Sequence, residues 1–313
     1  MPQNKSLSTQ EVADILHVSK STIYDLIRRN EIVSYKIGRK VRFTQEDVDD
    51  YISRSRHEHS TRSVATVEAD SSFLSPQNGK RTGLVISGQD VILDILTSCL
   101  NQRGINASRC YLSGFEGLLS FYQGKVDVAS CHLFAGENEE YNLAYLKTLA
   151  PGVPSVLINL SYRMQGFYVK KGNPKNIKGW EDLKRGDISI VNRRLGSSSR
   201  ILLDKKIASL GIEAENIKGY NRIMGSHLTM ASSIASGEAD IGLGTERVSK
   251  QLDGLSFIPL ICERYDLAVR KNRLDTPEIS GLIKLLRSEY FFREISSISG
   301  NDYSDIGKIV AEV

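Results

Sequence analysis

Ile188-Ser189-Ile190-Val191 runs through Asn192-Arg193-Arg194-Leu195-Gly196-Ser197-Ser198-Ser199-Arg200 into a helical pattern over residues 201–210. A short β-rich apolar run that hands over to a helix through a small polar loop is the unit of an α/β fold. The same sequence of events recurs on either side. Leu84-Val85-Ile86 precedes Val91 to Leu100, with apolar residues at 91, 92, 95, 96 and 100. Val126-Asp127-Val128-Ala129 follows the helical stretch Phe115 to Tyr122. Ala239-Asp240-Ile241-Gly242-Leu243 follows Met230 to Ala235. This alternation predicts βαβ units and a largely parallel sheet. No fixed-period repeat is present, which excludes a solenoid.

The loops that open these helices carry the chemistry. Ser87-Gly88-Gln89-Asp90 and Ser113-Gly114-Phe115-Glu116-Gly117 place small hydroxyl residues where free backbone N–H groups and the helix dipole point. Capping accounts for Ser87 or Ser113 taken singly as well as ligation does. Arg193 followed by Ser197, Ser198 and Ser199 exceeds what one cap needs, and reads as an anion site. His132 and His227 fall in strand-end and helix-start loops. Either can donate to an oxyanion, with a pH dependence expected from its protonation. Neither stands at metal-ligand spacing with Cys or carboxylates, so no metal and no cofactor are expected.

The N-terminal stretch has a different pattern. Ser8-Thr9-Gln10-Glu11 is a capping box ahead of Val12, Ile15 and Leu16 at helical spacing. His17-Val18 form a turn, and Ser19 caps a second helix that turns Ile23, Leu26 and Ile27 inward. Two short helices so joined are a helix-turn-helix, whose second helix enters the major groove of DNA. Ser19, Lys20, Ser21, Thr22 and Tyr24 occupy its outer face, and Arg28 lies one turn on, suited to a phosphate. Ser34 to Ile37, a Gly38-Arg39 turn and Lys40-Val41-Arg42-Phe43 predict a basic β-hairpin. Lys36, Arg39, Lys40 and Arg42 are its backbone-binding cations. Thr44 and Asp47 cap a third helix that packs Val48, Tyr51 and Ile52. Residues 28–42 hold six basic residues against Glu31 alone.

Composition frames both halves. The 313 residues are 40% hydrophobic and 25% charged with a formal net charge of +4, which excludes a wholly disordered or fibrous chain. Residues 57–82 are rich in Ser, Thr and charge and read as a linker. No run approaches the ~18 apolar residues of a membrane span, and the start shows no signal peptide. The four cysteines, Cys99, Cys110, Cys131 and Cys262, form no C-x-x-C pair and read as reduced thiols. A cytoplasmic protein without membrane contact is expected.

Residues 7–53 resemble the excisionase-type winged helix, a relative of the MerR fold. The resemblance rests on Leu7 to Ala13, Val18 to Tyr24 and Tyr35 to Phe43. Residues 83–270 resemble the cytosolic PBP-like domain found fused to helix-turn-helix modules. That domain is related to type II periplasmic binding proteins, including those for molybdate and tungstate. The stretches that carry this second resemblance are Cys131-His132-Leu133 with Tyr141-Asn142, Tyr162 to Gly166, Asn192 to Arg200, Ser226-His227-Leu228, Gly237 to Gly244 and Glu263 to Leu267. Where that family reads Gly-Ser-Gly-Thr-Arg, this chain has Gly196-Ser197-Ser198-Ser199-Arg200, which adds a side chain at Ser198.

The resemblances imply an α/β chain of three segments. A winged helix-turn-helix over 1–56 and the linker over 57–82 precede a two-lobed binding domain over 83–313. Lobe I would be about 83–160 with 261–313, and lobe II about 161–260, with crossings near 158–168 and 259–267. An oxyanion, molybdate or tungstate in the favoured case, would sit between them. Its contacts would be Ser87, Ser113, His132, Arg163, Arg193, Ser197, Ser198, Ser199 and His227. Function is expected to be ligand-responsive transcription regulation on double-stranded DNA by a homo-oligomer, a dimer or higher. The alternatives are a sensor of another small anionic metabolite, or an enzyme. The sequence has no G-x-S-x-G elbow and no P-loop, and no catalysis is expected.

Overall fold

The computed structural model describes residues 7–16, 19–28, 32, 34–37, 40–44, 47–48, 83–136 and 140–313. The chain forms two compact units, Met1–Glu68 and Ala69–Val313. The linker expected over 57–82 lies outside the described residues.

The first unit contains β1 (Leu7–Ser8), α1 (Thr9–Leu16), α2 (Lys20–Arg28), β2 (Tyr35–Ile37) and β3 (Lys40–Phe43). The capping box forms as expected: the Ser8 amide donates to Glu11 at 2.8 Å and the Glu11 amide to Ser8 Oγ at 3.3 Å. The Thr22 amide donates to Ser19 Oγ at 3.2 Å and starts the second helix. Leu7, Val12, Ala13, Ile23, Leu26, Phe43 and Val48 close the small core. The strands run in the order β1-β3-β2, all antiparallel. Gly38, Arg39, Tyr51 and Ile52 lie outside the described residues. Thr44 and Asp47 do exchange the reciprocal bonds of a helix start, at 2.7 and 3.1 Å.

The second unit is built on one ten-stranded sheet, ordered β5-β4-β6-β11-β7-β10-β8-β9 with β12 and β13 on β7. On one side lie β4 (Leu84–Ser87), α3 (Val91–Gln102), β5 (Ala107–Cys110), α4 (Gly114–Tyr122), β6 (Val128–Cys131) and α5 (Leu143–Leu149). On the other lie β8 (Ile190–Arg193), α6 (Ser198–Ser209), β9 (Ile223–Met224), α7 (His227–Ser236), β10 (Ile241–Thr245) and α8 (Glu246–Ser249). β4 pairs in parallel with β5 and β6, and β8 with β9 and β10. The expected parallel sheet is therefore confined to each side. Between the two sides run β7 (Ser155–Lys170) and β11 (Leu255–Arg270), antiparallel partners over their whole length. Each passes through both lobes, and each lobe keeps its own apolar core. The chain ends on lobe I with α9 (Pro277–Leu286), α10 (Glu289–Ser296), β12 (Asn301–Asp302) and β13 (Ile309–Glu312). Phe291 of α10 is fully buried in that core, while Phe292 beside it is exposed.

The central strands β6, β8 and β10 begin two residues later than the apolar runs imply. Asp127 and Asp240, read from sequence as strand residues, precede β6 and β10. Their carboxylates accept the backbone N–H of Val85 at 2.9 Å and of Ser189 at 2.8 Å. Each satisfies the start of the neighbouring strand, one in each lobe.

Where β7 crosses, Gly166 lies against the Ile258 carbonyl and the Phe257 ring, and a Cβ there would overlap both. Gly166→Ala is expected to destabilise the second unit by about 1–3 kcal/mol, the usual range for forced overpacking. Urea unfolding of the full-length chain checks this, and an unchanged midpoint would contradict it.

Candidate functional site

A cavity of about 130 Å³ lies between the lobes of the second unit. Four helices of eight or more residues begin at its wall. Asp90 caps α3 through the Ile92 amide at 3.0 Å. Ser113 caps α4, Ser197 caps α6 and Ser226 caps α7. The strand-to-helix loops place these starts together because each parallel strand ends on the same edge of its lobe. Gly196, at φ +80°, makes the turn that brings the serines in after β8.

Ser113, His132, Arg163, Arg193, Ser197, Ser198, Ser199 and His227 all line this cavity. Their roles separate once their partners are counted. The Ser113 hydroxyl donates to Glu116 at 2.7 Å and accepts the Glu116 amide, and Ser197 Oγ accepts the Arg200 amide at 3.4 Å. Those two hydroxyls are engaged in capping. Ser198 Oγ is buried without a hydrogen-bond partner, and Ser199 Oγ meets only His227 Nε2, at 3.5 Å.

Ser87 is a correction. It is fully buried as the last residue of β4, and it is not in the cavity wall. Its hydroxyl faces Gly117 of α4, where a Cβ would come within 2.8 Å of it. Strand alternation turns Ser87 away, and Gly88, Gln89 and Asp90 stand at the cavity in its place.

The two arginines also differ. Arg163, on β7, donates from Nη1 to Asp90 at 2.6 Å and from Nε to Glu263 of β11. Gln165 adds a bond to Glu263 at 3.1 Å. Burial works against the Arg163 charge, but Glu263 and Asp90 outweigh it and hold its pKa above the usual value. Burial pulls Asp90 upward. Arg163, the Ile92 amide and Arg247 overcome that and keep the carboxyl below its usual range. Arg163 is thus a compensated cation. Arg193 has no such partner. It is 6% exposed, Nη1 donates to the Met224 carbonyl at 2.9 Å, and Nε is buried without a partner. Burial, aided by Arg194, brings its pKa down to about 10, so it remains charged at neutral pH.

Both histidines are neutral, contrary to the expectation of a charge change near neutrality. Burial and then Arg193 take His227 down to about 3. Burial and then Arg163 take His132 well below its ordinary value. Nδ1 of each ring is buried and unpartnered. Sequence reading also missed Asp90, Ser130, Thr245, Arg247 and Tyr265, which line the same wall. Asp90 was legible as a helix cap. Glu263 and Tyr265 required knowledge of the β7–β11 pairing.

In the first unit, Ser19, just ahead of α2, and Lys20 and Tyr24 on it are exposed, and Thr22 is partly buried with its hydroxyl 2.8 Å from Ser19 Oγ. Ser21 and Arg28 lie on the same helix, Lys36 on β2, and Lys40 and Arg42 on β3. Arg39 lies outside the described residues. Among the described residues, no three His, Cys, Asp or Glu side chains gather as a metal site requires, and no helix is long and apolar enough to cross a membrane.

The family described as PBP superfamily domain matches residues 98–287, and the helix-turn-helix domain family matches residues 6–56. The uncharacterized protein YvgK of Bacillus subtilis is 37% identical over 313 residues, covering all of both chains. An H2O2-bound cysteine mutant of OxyR from Corynebacterium glutamicum superposes with a TM-score of 0.51 at 15% identity, over 93% of this chain and 89% of that one. An ABC-type phosphate transport receptor from Vibrio cholerae gives 0.50 at 16% identity, over 69% and 98%. These two likenesses concern the fold.

The neutral histidines have a measurable consequence. Below ~pH 6.5 the unfolded chain takes up protons that buried His227 refuses, so stability falls with pH at up to ~1.4 kcal/mol per unit for each such residue. The loss continues toward the folded value of about 3 for His227. Urea unfolding between about pH 7 and pH 5 should show it, and His227→Gln should have a shallower slope. Parallel slopes for the two proteins would refute the assignment.

Proposed function

The chain belongs to the PBP superfamily domain family, with a helix-turn-helix domain at its N-terminal end, and from this premise we propose that it is a transcription regulator that senses a small oxyanion. The observation that carries the reading is Arg193, a buried guanidinium in the interlobe cavity with no carboxylate partner among the described residues. A buried charge without a partner is costly, and a bound anion supplies that partner. The unpartnered Ser198 hydroxyl offers a donor, and the His132 and His227 rings, each with an unpartnered Nδ1, present two further polar groups to the cavity. A volume of about 130 Å³ suits a compact solute, whereas drug-sized ligands occupy roughly 300–1,000 Å³.

Molybdate or tungstate is the favoured ligand, since a fully ionised tetrahedral oxyanion needs donors on every side and no acceptor. Asp90 does not oppose this, because both its oxygens already face Arg163 and Arg247. The protein acts by binding and not by catalysis, works in the cytoplasm, and grips its operator as a dimer. Helix α2, through Lys20, Ser21, Thr22 and Tyr24, reads base edges, while Arg28, Lys36, Arg39, Lys40 and Arg42 hold phosphates. Ligand changes DNA affinity through its differential affinity for two states of the binding domain, typically ~1–3 kcal/mol.

Calorimetric titration of molybdate, tungstate and inorganic phosphate, repeated as DNA-binding assays with each, tests this. Arg193→Ala should weaken anion binding by about ten- to a hundredfold, the value of a lost charged hydrogen bond, and leave DNA binding intact. Thr22→Ala combined with Arg39→Ala should have the reverse effect. If no anion binds, or binding leaves DNA affinity unchanged, the reading fails.

A further inference from the structure

We infer that the cleft takes its ligand as a dianion together with one proton from solvent, and that the proton rests on His132 or His227. The inference depends on the oxyanion reading above and concerns the charge state of the same site.

The fixed charges around the cavity nearly cancel. Arg163, Arg193 and Arg247 stand against Asp90 and Glu263. Asp90 meets Arg163 at 2.6 Å and Arg247 at 3.7 Å, and Glu263 is held by Arg163. The arginines just outside are matched already: Arg194 with Glu116 at 4.0 Å, Arg200 with Asp204 at 2.9 Å and Arg109 with Asp94 at 2.7 Å. One positive charge is left over, on Arg193. A monoanion would neutralise it. A dianion would leave one negative charge uncompensated in a site with room for little water, which is unfavourable.

Two imidazoles can supply the missing charge. His132 follows β6 in lobe I, and His227 opens α7 in lobe II. His132 faces Arg163 of β7, Asp90 at the start of α3, and the Tyr265 ring of β11, edge-on with centroids 5.0 Å apart. His227 faces Ser199 of α6, Arg193 of β8, Arg247 of α8, Arg163 and His132. Every one of these arginines discourages a proton on the rings. A doubly charged anion against Arg193 reverses the local potential, and each ring has an unpartnered Nδ1. Glu263 is the competing acceptor: burial raises its pKa, and the bonds that Arg163 and Gln165 donate to its carboxylate oppose that shift without cancelling it, so the histidine variants decide between them.

By linkage, a proton taken up on binding makes affinity fall as pH rises, until the bound-state ring itself deprotonates. Calorimetry of the full-length protein with molybdate, and separately with tungstate, in buffers of different ionisation enthalpy at about pH 7 counts the protons directly. Uptake close to one per anion is expected, with binding up to tenfold weaker per pH unit around neutrality, above the free-state value of the ring and below its value in the complex. His132→Asn or His227→Asn should abolish most of the uptake. Anion binding with no net uptake overturns this inference and leaves the oxyanion sensor standing. Uptake undiminished in both variants assigns the proton elsewhere and also overturns it. Failure of molybdate, tungstate and inorganic phosphate alike to bind overturns both.

Discussion

Everything in the second unit depends on the pairing of β7 with β11. These two strands of sixteen residues are hydrogen-bonded to each other through both lobes. No side chain separates them at Gly166, and irregularities at Pro259/Ile261 and Tyr265/Asp266 bend the ribbon where it leaves one lobe for the other. The parallel strands on either side are short and could not hold the lobes together. The ribbon does so with backbone bonds, which leaves its side chains free for other duties.

Those side chains are unusual for a sheet interior. Asn159, Ser161, Arg163 and Gln165 recur at every second position of β7, and all four are buried or nearly so. The irregularity between Ser161 and Asn159 divides them: Asn159 stands opposite Asp266, and Arg163 stands opposite Glu263, three residues away on β11. Asp266 and Glu263 of β11 answer them across the ladder, Asp266 through Asn159 and Asn142 and Glu263 through Arg163 and Gln165. Buried pairs of this kind are weak evidence for stability in themselves. Here their effect is to hold Arg163 in one orientation, bound to Asp90 at the head of α3, so that the ribbon and lobe I meet in a fixed geometry.

Much of this architecture was readable from residue pattern alone. The βα alternation, the helix-opening serine loops and the N-terminal caps all follow from local periodicity and capping chemistry. Strand starts at Val128 and Ile241 were misplaced because an aspartate between apolar residues fits a strand pattern equally well. Only the neighbouring strand reveals that Asp127 and Asp240 each accept a backbone N–H near its start. The antiparallel ribbon through a parallel sheet was legible only as two crossings. Ser87 misled for a simpler reason. A serine at a strand end has two faces to choose from, and the sequence does not say which one α4 covers.

The division of labour between Arg163 and Arg193 is the part that no pattern could supply. Both are buried and both line the cavity, and each follows from a local loop or strand motif. What separates them is a glutamate 100 residues from Arg163 in sequence, brought opposite by the ribbon register, and an aspartate that caps a helix in the other direction. Arg193 sits at the end of β8, where the neighbouring strand offers only the Met224 carbonyl. A neutral acceptor satisfies one N–H and leaves the charge. Compensation at one arginine and its lack at the other therefore leave the cleft with a single uncompensated positive charge among closely set helix ends.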